Sequence, residues 1–79
     1  MPTPTTLDTA GLHALVPLAA TLGLRIASAT PDTVRVELGH RPELCTAGGI
    51  LHGGALMALA DTAGAVCAFL NLPDGATTT

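Results

Sequence analysis

The sequence predicts an α+β fold, and three observations carry the prediction. Leu22, Leu24 and Ile26 recur at period two, as do Val34, Val36 and Leu38, the second set interleaved with Arg35 and Glu37. That alternation is what a strand with one buried face shows. Between the two runs Ala29-Thr30-Pro31-Asp32 supplies a proline with a preset φ and an Asp able to bond nearby backbone, so the strands are expected to pair as an antiparallel hairpin. Finally, Gly53 to Leu70 lacks proline and is rich in Ala and Leu. It should form a helix of roughly 18 residues, about 27 Å long at 1.5 Å per residue.

The elements follow in order. Met1 to Thr6 is rich in Pro and Thr and is expected to be disordered, whereas Leu7 to Leu15 fits one or two helical turns with Asp8 near their start. Pro17 interrupts that pattern. The strands then run from Leu22 to Ala29 and from Val34 to Leu38. Gly39 to Leu51 has no period and carries Pro42 and the Gly48-Gly49 pair, so it reads as a long excursion of the sort that is often functional. After the helix, Asn71-Leu72-Pro73-Asp74-Gly75 signals a turn, and Ala76 to Thr79 reads as the start of a third strand. The helix is apolar nearly all round and needs cover on several faces, which a two-stranded hairpin cannot give.

Seventy-nine residues allow one small domain, spanning 1–79. With 48% apolar and 11% charged residues, the composition excludes a disordered or acidic-tail protein. Arg25, Arg35 and Arg41 are scattered and there is no lysine, so no nucleic-acid partner is expected. Asp61 stands in the middle of the long apolar run, where an acid costs about 2.5–3.5 kcal/mol on membrane-insertion scales, so no membrane span is expected either. Cys45 and Cys67 have no C-x-x-C spacing and no secretory signal precedes them, which points to a reduced, cytoplasmic setting with both thiols packed as small hydrophobes. His13 and His40 have no partner at metal spacing, and a set of His40, Cys45 and His52 is a weak metal candidate. No metal or cofactor is expected.

The informative stretch is Gly48-Gly49-Ile50-Leu51-His52-Gly53-Gly54, followed by Leu59-Ala60-Asp61. A glycine in the first helical turn offers a backbone N–H at the positive end of the helix dipole, with no Cβ to hold a ligand away. A carbonyl oxygen bound there would be polarised, and the charge that develops on attack would be stabilised. Asp61, eight residues on, lies roughly 12 Å further along the helix, too far for one helix to place both groups on one carbonyl. A second copy of the helix, antiparallel across a twofold axis, would bring one chain's glycine beside the other's acid.

With its acid eight residues after the first glycine of H-G-G, within L-A-D, the sequence resembles the hot-dog-fold acyl-CoA thioesterases of the phenylacetate-degradation and 4-hydroxybenzoyl-CoA type. The resemblance runs from about Gly11 onward. It implies a hot-dog architecture of which this chain holds the first part, hydrolysis of an acyl-CoA thioester, and a homodimer or homotetramer with the active site at the subunit interface. By that likeness Asp61 is the general base or the nucleophile, Gly53 polarises the carbonyl, and His52 orients the thioester or the loop; the alternative for His52 is a helix-entry residue bonded to backbone. Gly54 and Thr46 are the substrate-binding candidates. Thr46 stands where many relatives carry Asn or Gln, and its hydroxyl is shorter. Asp61 is expected to be desolvated, which raises a carboxyl's basicity.

Two other readings compete. One is a truncated, non-catalytic hot-dog module that self-associates or pairs with a partner chain, Asp61 being a helix acid bonded to the hairpin or to solvent. The other is a hot-dog hydratase, which would place its His and acid on a different motif. Release of acid from a CoA ester separates the first reading from both.

Overall fold

The computed structural model describes residues 6–73. Its elements are helix α1 (Thr9–Leu15), helix α2 (Pro17–Leu22), strands β1 (Arg25–Ala29) and β2 (Val34–Glu37), a 3-10 turn at Pro42–Leu44 and helix α3 (Gly53–Leu70). The two strands pair antiparallel, giving the mixed α+β arrangement of a two-stranded sheet and a long helix. The residues from 74 on, with the expected third strand, lie outside the described part, as do residues 1–5.

Pro17 starts a helix where the sequence suggested only an interruption. It occupies the first turn of α2, where its missing N–H costs nothing and its φ is already helical. Gly23 closes α2 at φ 70°, a left-handed conformation that favours glycine, with its N–H on the carbonyls of Ala19 and Ala20. The strand therefore begins at Arg25 and not at Leu22, which belongs to α2. The apparent period-two run of Leu22, Leu24 and Ile26 straddles a helix end, a cap and a strand.

Register explains the rest of β1. Arg25 faces Glu37 and Ile26 faces Val36, but Ser28 faces Arg35 and Ala29 faces Val34, so Ala27 is an extra residue on β1. This bulge moves the inward position from 28 to 29. Ala29 is buried and Ser28 is exposed, the reverse of what unbroken alternation from Leu24 would give. On the outer face Arg25 donates two hydrogen bonds to Glu37 Oε1, at 3.0 and 2.7 Å; both side chains are exposed and the pair contributes little. In the connecting turn Thr30 does the work expected of Asp32: its carbonyl and its Oγ1 both accept the Thr33 N–H.

The core comprises Leu12, Ala19, Leu24, Ala29, Val66 and Leu70, with Ile26, Val34, Val36 and Phe69 packed against it. Leu12 and Leu24 are essentially sealed, each burial being worth about 1.5–3 kcal/mol. Two side-chain bonds set α1 on the strand edge. The His13 imidazole Nε2–H donates to the Leu24 carbonyl at 2.6 Å, and Thr9 Oγ1 accepts the Ile26 N–H at 2.9 Å.

Helix α3 extends over the expected residues and buries one face. Ala55, Thr62, Val66 and Leu70, with half-buried Leu59 among them, fall at i, i+7, i+11, i+15 and i+4. The opposite face is bare: Leu56 is 47% exposed and Met57 70%. By length and composition alone α3 could cross a bilayer, with a mean hydropathy of 1.6 and 17% of the span buried in this chain. At its far end Asn71 Nδ2 donates to the Cys67 carbonyl and to the Pro31 carbonyl, fastening the helix terminus to the hairpin turn. Cys67 is exposed and Cys45 half-buried, so neither is the fully buried hydrophobe that the composition suggested.

Candidate active site

The excursion before α3 is folded back on itself, and this sets His52 in place. Cys45 and Leu51 form an antiparallel bridge; inside it Thr46 N–H donates to the Ile50 carbonyl at 2.7 Å and Gly49 N–H to the Thr46 carbonyl at 3.0 Å. Gly49 sits at φ 75°, which only a residue without Cβ adopts freely. His40 Nε2–H donates to the Gly49 carbonyl, and the Cys45 thiol donates to the Arg41 carbonyl. The His52 N–H on the Leu44 carbonyl, at 2.8 Å, then aims the chain into α3.

His52 is the N-cap of that helix. Its Nδ1 accepts the Gly54 N–H at 2.8 Å, and its carbonyl accepts from Ala55 and Leu56. Nδ1 is thereby an acceptor, so the ring proton of the neutral imidazole resides on Nε2. One first-turn donor is left: the Gly53 N–H has no partner among the described residues. A Cβ built at Gly53 would meet nothing within 4 Å, and the N–H stands at the positive end of the dipole.

Gly54 has a different reason to be glycine. A Cβ there would stand 3.0 Å from His52 Nδ1 and 3.3 Å from Cε1. The residue makes room for the capping ring. Gly54→Ala is therefore expected to forfeit the gain of up to about 1 kcal/mol that Ala normally brings to a helix, because the ring must move and the cap, worth about 1 kcal/mol, weakens. In a His52→Ala background the same substitution should recover the gain. Urea denaturation of the four proteins of that cycle measures the difference.

Asp61 lies eight residues from Gly53, roughly 12 Å along the axis, and is exposed. The desolvation expected of it is not present in the single chain. Among the described residues its carboxylate makes no hydrogen bond and no ion pair, so it does not brace the hairpin. It stands on the rim of a cleft of about 270 Å³ between α1 and α3, floored by Leu12, Thr62 and Val66. His52 and Gly54 border a separate cleft of about 350 Å³ shared with Leu18, Leu22 and Leu44. One chain thus keeps Asp61 and the His52–Gly54 cap in different clefts on one flank of α3, and Gly53 lines neither. Thr46 is exposed at its turn and lines neither cleft.

Neither cleft contains a cation. Arg41 is spent on the Thr21 carbonyl at 3.2 Å and lies 3.9 Å from Glu43. His40 and Cys45 meet at 3.3 Å, but among the described residues no three His, Cys, Asp or Glu side chains gather as a metal site. The wall that α1 contributes to the Asp61 cleft went unread in the sequence. Its signal was the spacing of Leu12, Leu15 and Val16, which puts three apolar side chains on one helical face.

Residues 48–79 match the thioesterase superfamily. Two proteins from two strains of Mycobacterium tuberculosis, each named "Putative esterase", are 35% identical to this chain over 60 residues, covering 76% of it and 43% of their own length. The chain thus spans less than half of the curated relatives it matches. No solved structure matches it. The matched stretch takes in the whole of α3, and the antiparallel hairpin with this long helix is consistent with a partial hot-dog fold.

Proposed function

We propose that the chain supplies one half of each active site of an acyl-CoA thioesterase, hydrolysing the thioester to a carboxylic acid and CoA. The observation that carries the reading is the pairing, on one helix, of a Gly53 N–H and an Asp61 carboxylate that have no hydrogen-bond or ion-pair partner among the described residues. Two copies of α3 packed antiparallel on their bare faces bring the Gly53 of one subunit beside the Asp61 of the other, as a homodimer or a pair of dimers. The thioester carbonyl oxygen accepts from Gly53 N–H. Asp61 either takes a proton from the attacking water or attacks the carbonyl carbon itself, and in both routes the C–S bond breaks and the thiolate leaves as CoA; in the second, water then cleaves the mixed anhydride, freeing the acid and Asp61. Pairing also withdraws Asp61 from water, which strengthens it as a base. The superfamily match and the two esterase-named relatives support hydrolysis.

Release of thiol from acyl-CoA, followed with a thiol-reactive dye, tests the reading. No release from any acyl-CoA by a protein extended to the length of its curated relatives would refute it. A second reading is a non-catalytic pairing module, favoured by the exposed Leu56 and Met57 on α3. It predicts association without thiol release.

Both readings expect association. The apolar face of α3 and the open edges of a two-stranded sheet are templates for contact. The chain should sediment as a dimer or larger, and hydrolysis by the 79-residue chain alone should be absent or marginal. A stable monomer in sedimentation velocity would exclude both.

A further inference from the structure

Resting on the thioesterase reading, we propose that the cleft between α1 and α3 is the acyl pocket and that Ala65 and Leu15, on its two walls, set the acyl length accepted. Asp61 stands at its mouth, so a chain whose carbonyl carbon lies beside that carboxylate passes straight into the cleft. The lining beyond Asp61 is apolar apart from Thr62, which is itself buried. No charged group waits inside to pair with a second carboxylate or an ammonium on the substrate, and burying such a charge unpaired would be prohibitive. The pocket therefore selects uncharged, apolar acyl groups. Its volume of about 270 Å³ holds roughly nine non-hydrogen atoms at the ~30 Å³ a water molecule occupies in the liquid. An octanoyl group has that size.

Depth is set by Leu12 and Val66, which are core residues and cannot change without cost. Width is set by Ala65 of α3 and Leu15 of α1, both exposed at the rim, where larger side chains fit without disturbing the core. Each methylene accommodated in an apolar pocket is worth up to about tenfold or more in discrimination.

The test uses the protein extended to the length of its curated relatives, its Ala65→Phe variant and, from the opposite wall, Leu15→Trp. Hydrolysis is measured on acetyl-, hexanoyl- and octanoyl-CoA, and binding on the non-hydrolysable thioethers S-methyl-CoA and S-octyl-CoA. In the unsubstituted protein kcat/KM should climb with acyl length to octanoyl. Either substitution should lower the octanoyl-to-acetyl ratio of kcat/KM, and the preference for S-octyl-CoA over S-methyl-CoA, by at least about tenfold. Ratios cancel any loss of folded protein. Unmoved ratios in both variants would overturn the pocket while leaving the hydrolase reading standing. A shifted thioether preference with no hydrolysis of any ester would keep the pocket and sink the hydrolase. Failure to bind S-octyl-CoA more tightly than S-methyl-CoA would also overturn the pocket.

Discussion

In a chain extended to full length, Asp61→Asn is expected to lower thioester hydrolysis by at least about 100-fold, or about 2.7 kcal/mol of transition-state stabilisation, the usual scale for a lost general base. The structure makes this a clean substitution. Asp61 is exposed and has no hydrogen bond or ion pair among the described residues, so the amide replaces it without breaking a contact. Stability should stay within about 0.5 kcal/mol, as for other surface changes away from structural features. Steady-state rates on octanoyl-CoA, together with thermal denaturation, check both halves of the expectation. Unchanged turnover would remove Asp61 from the mechanism, and a large fall in melting temperature would return it to a structural role.

Gly53→Val should cost about 100- to 1,000-fold in kcat, the range seen when one oxyanion donor is lost. The valine does not remove the N–H. It places a branched side chain where the carbonyl oxygen must approach. Because a Cβ at 53 meets nothing within 4 Å and the residue does not have a positive φ, the fold of the single chain can accept it. Losing glycine also restricts the unfolded chain, which favours the folded state slightly. The expected result is a protein as stable as the original and nearly inactive. Should denaturation show that Gly53→Val unfolds the chain, Gly53 serves packing and the carbonyl must be polarised elsewhere.

Much of this was legible in the residues, for physical reasons that differ from element to element. The absence of proline from Gly53 to Leu70 and the turn residues beyond it bounded α3 at both ends, since those signals act locally. Val34 to Leu38 alternated cleanly and gave β2 to within a residue. The first strand was harder. Gly23 ends a helix by taking a left-handed φ, and the same glycine lies inside a run whose apolar spacing imitates a strand. The pairing of Pro17 at a helix start with Gly23 at its end was the overlooked signal. The Ala27 bulge could not be foreseen, because register is decided by the partner strand and by what the sheet packs on. At the site, the motif singled out His52, Gly53 and Asp61. The backbone bond of His52 at the helix entry was one of its two readings, but the motif did not reveal that Gly54 is small for the sake of that ring, or that Asp61 borders a cleft walled by α1. Those facts depend on residues brought together from distant parts of the chain.

The bond from Asn71 to the Pro31 carbonyl joins residues 40 apart in sequence, and it bears on the order in which the chain assembles. Helical turns and the hairpin close over a handful of residues and can form within microseconds. Fastening the end of α3 to the hairpin turn must first pay the entropy of a long loop. The clamp is therefore among the last native contacts to form. The N-terminal end, held by the short Cys45–Leu51 bridge and the His52 cap, closes early. Nascent chains thus acquire the Gly53 end of the helix before its far end is tethered.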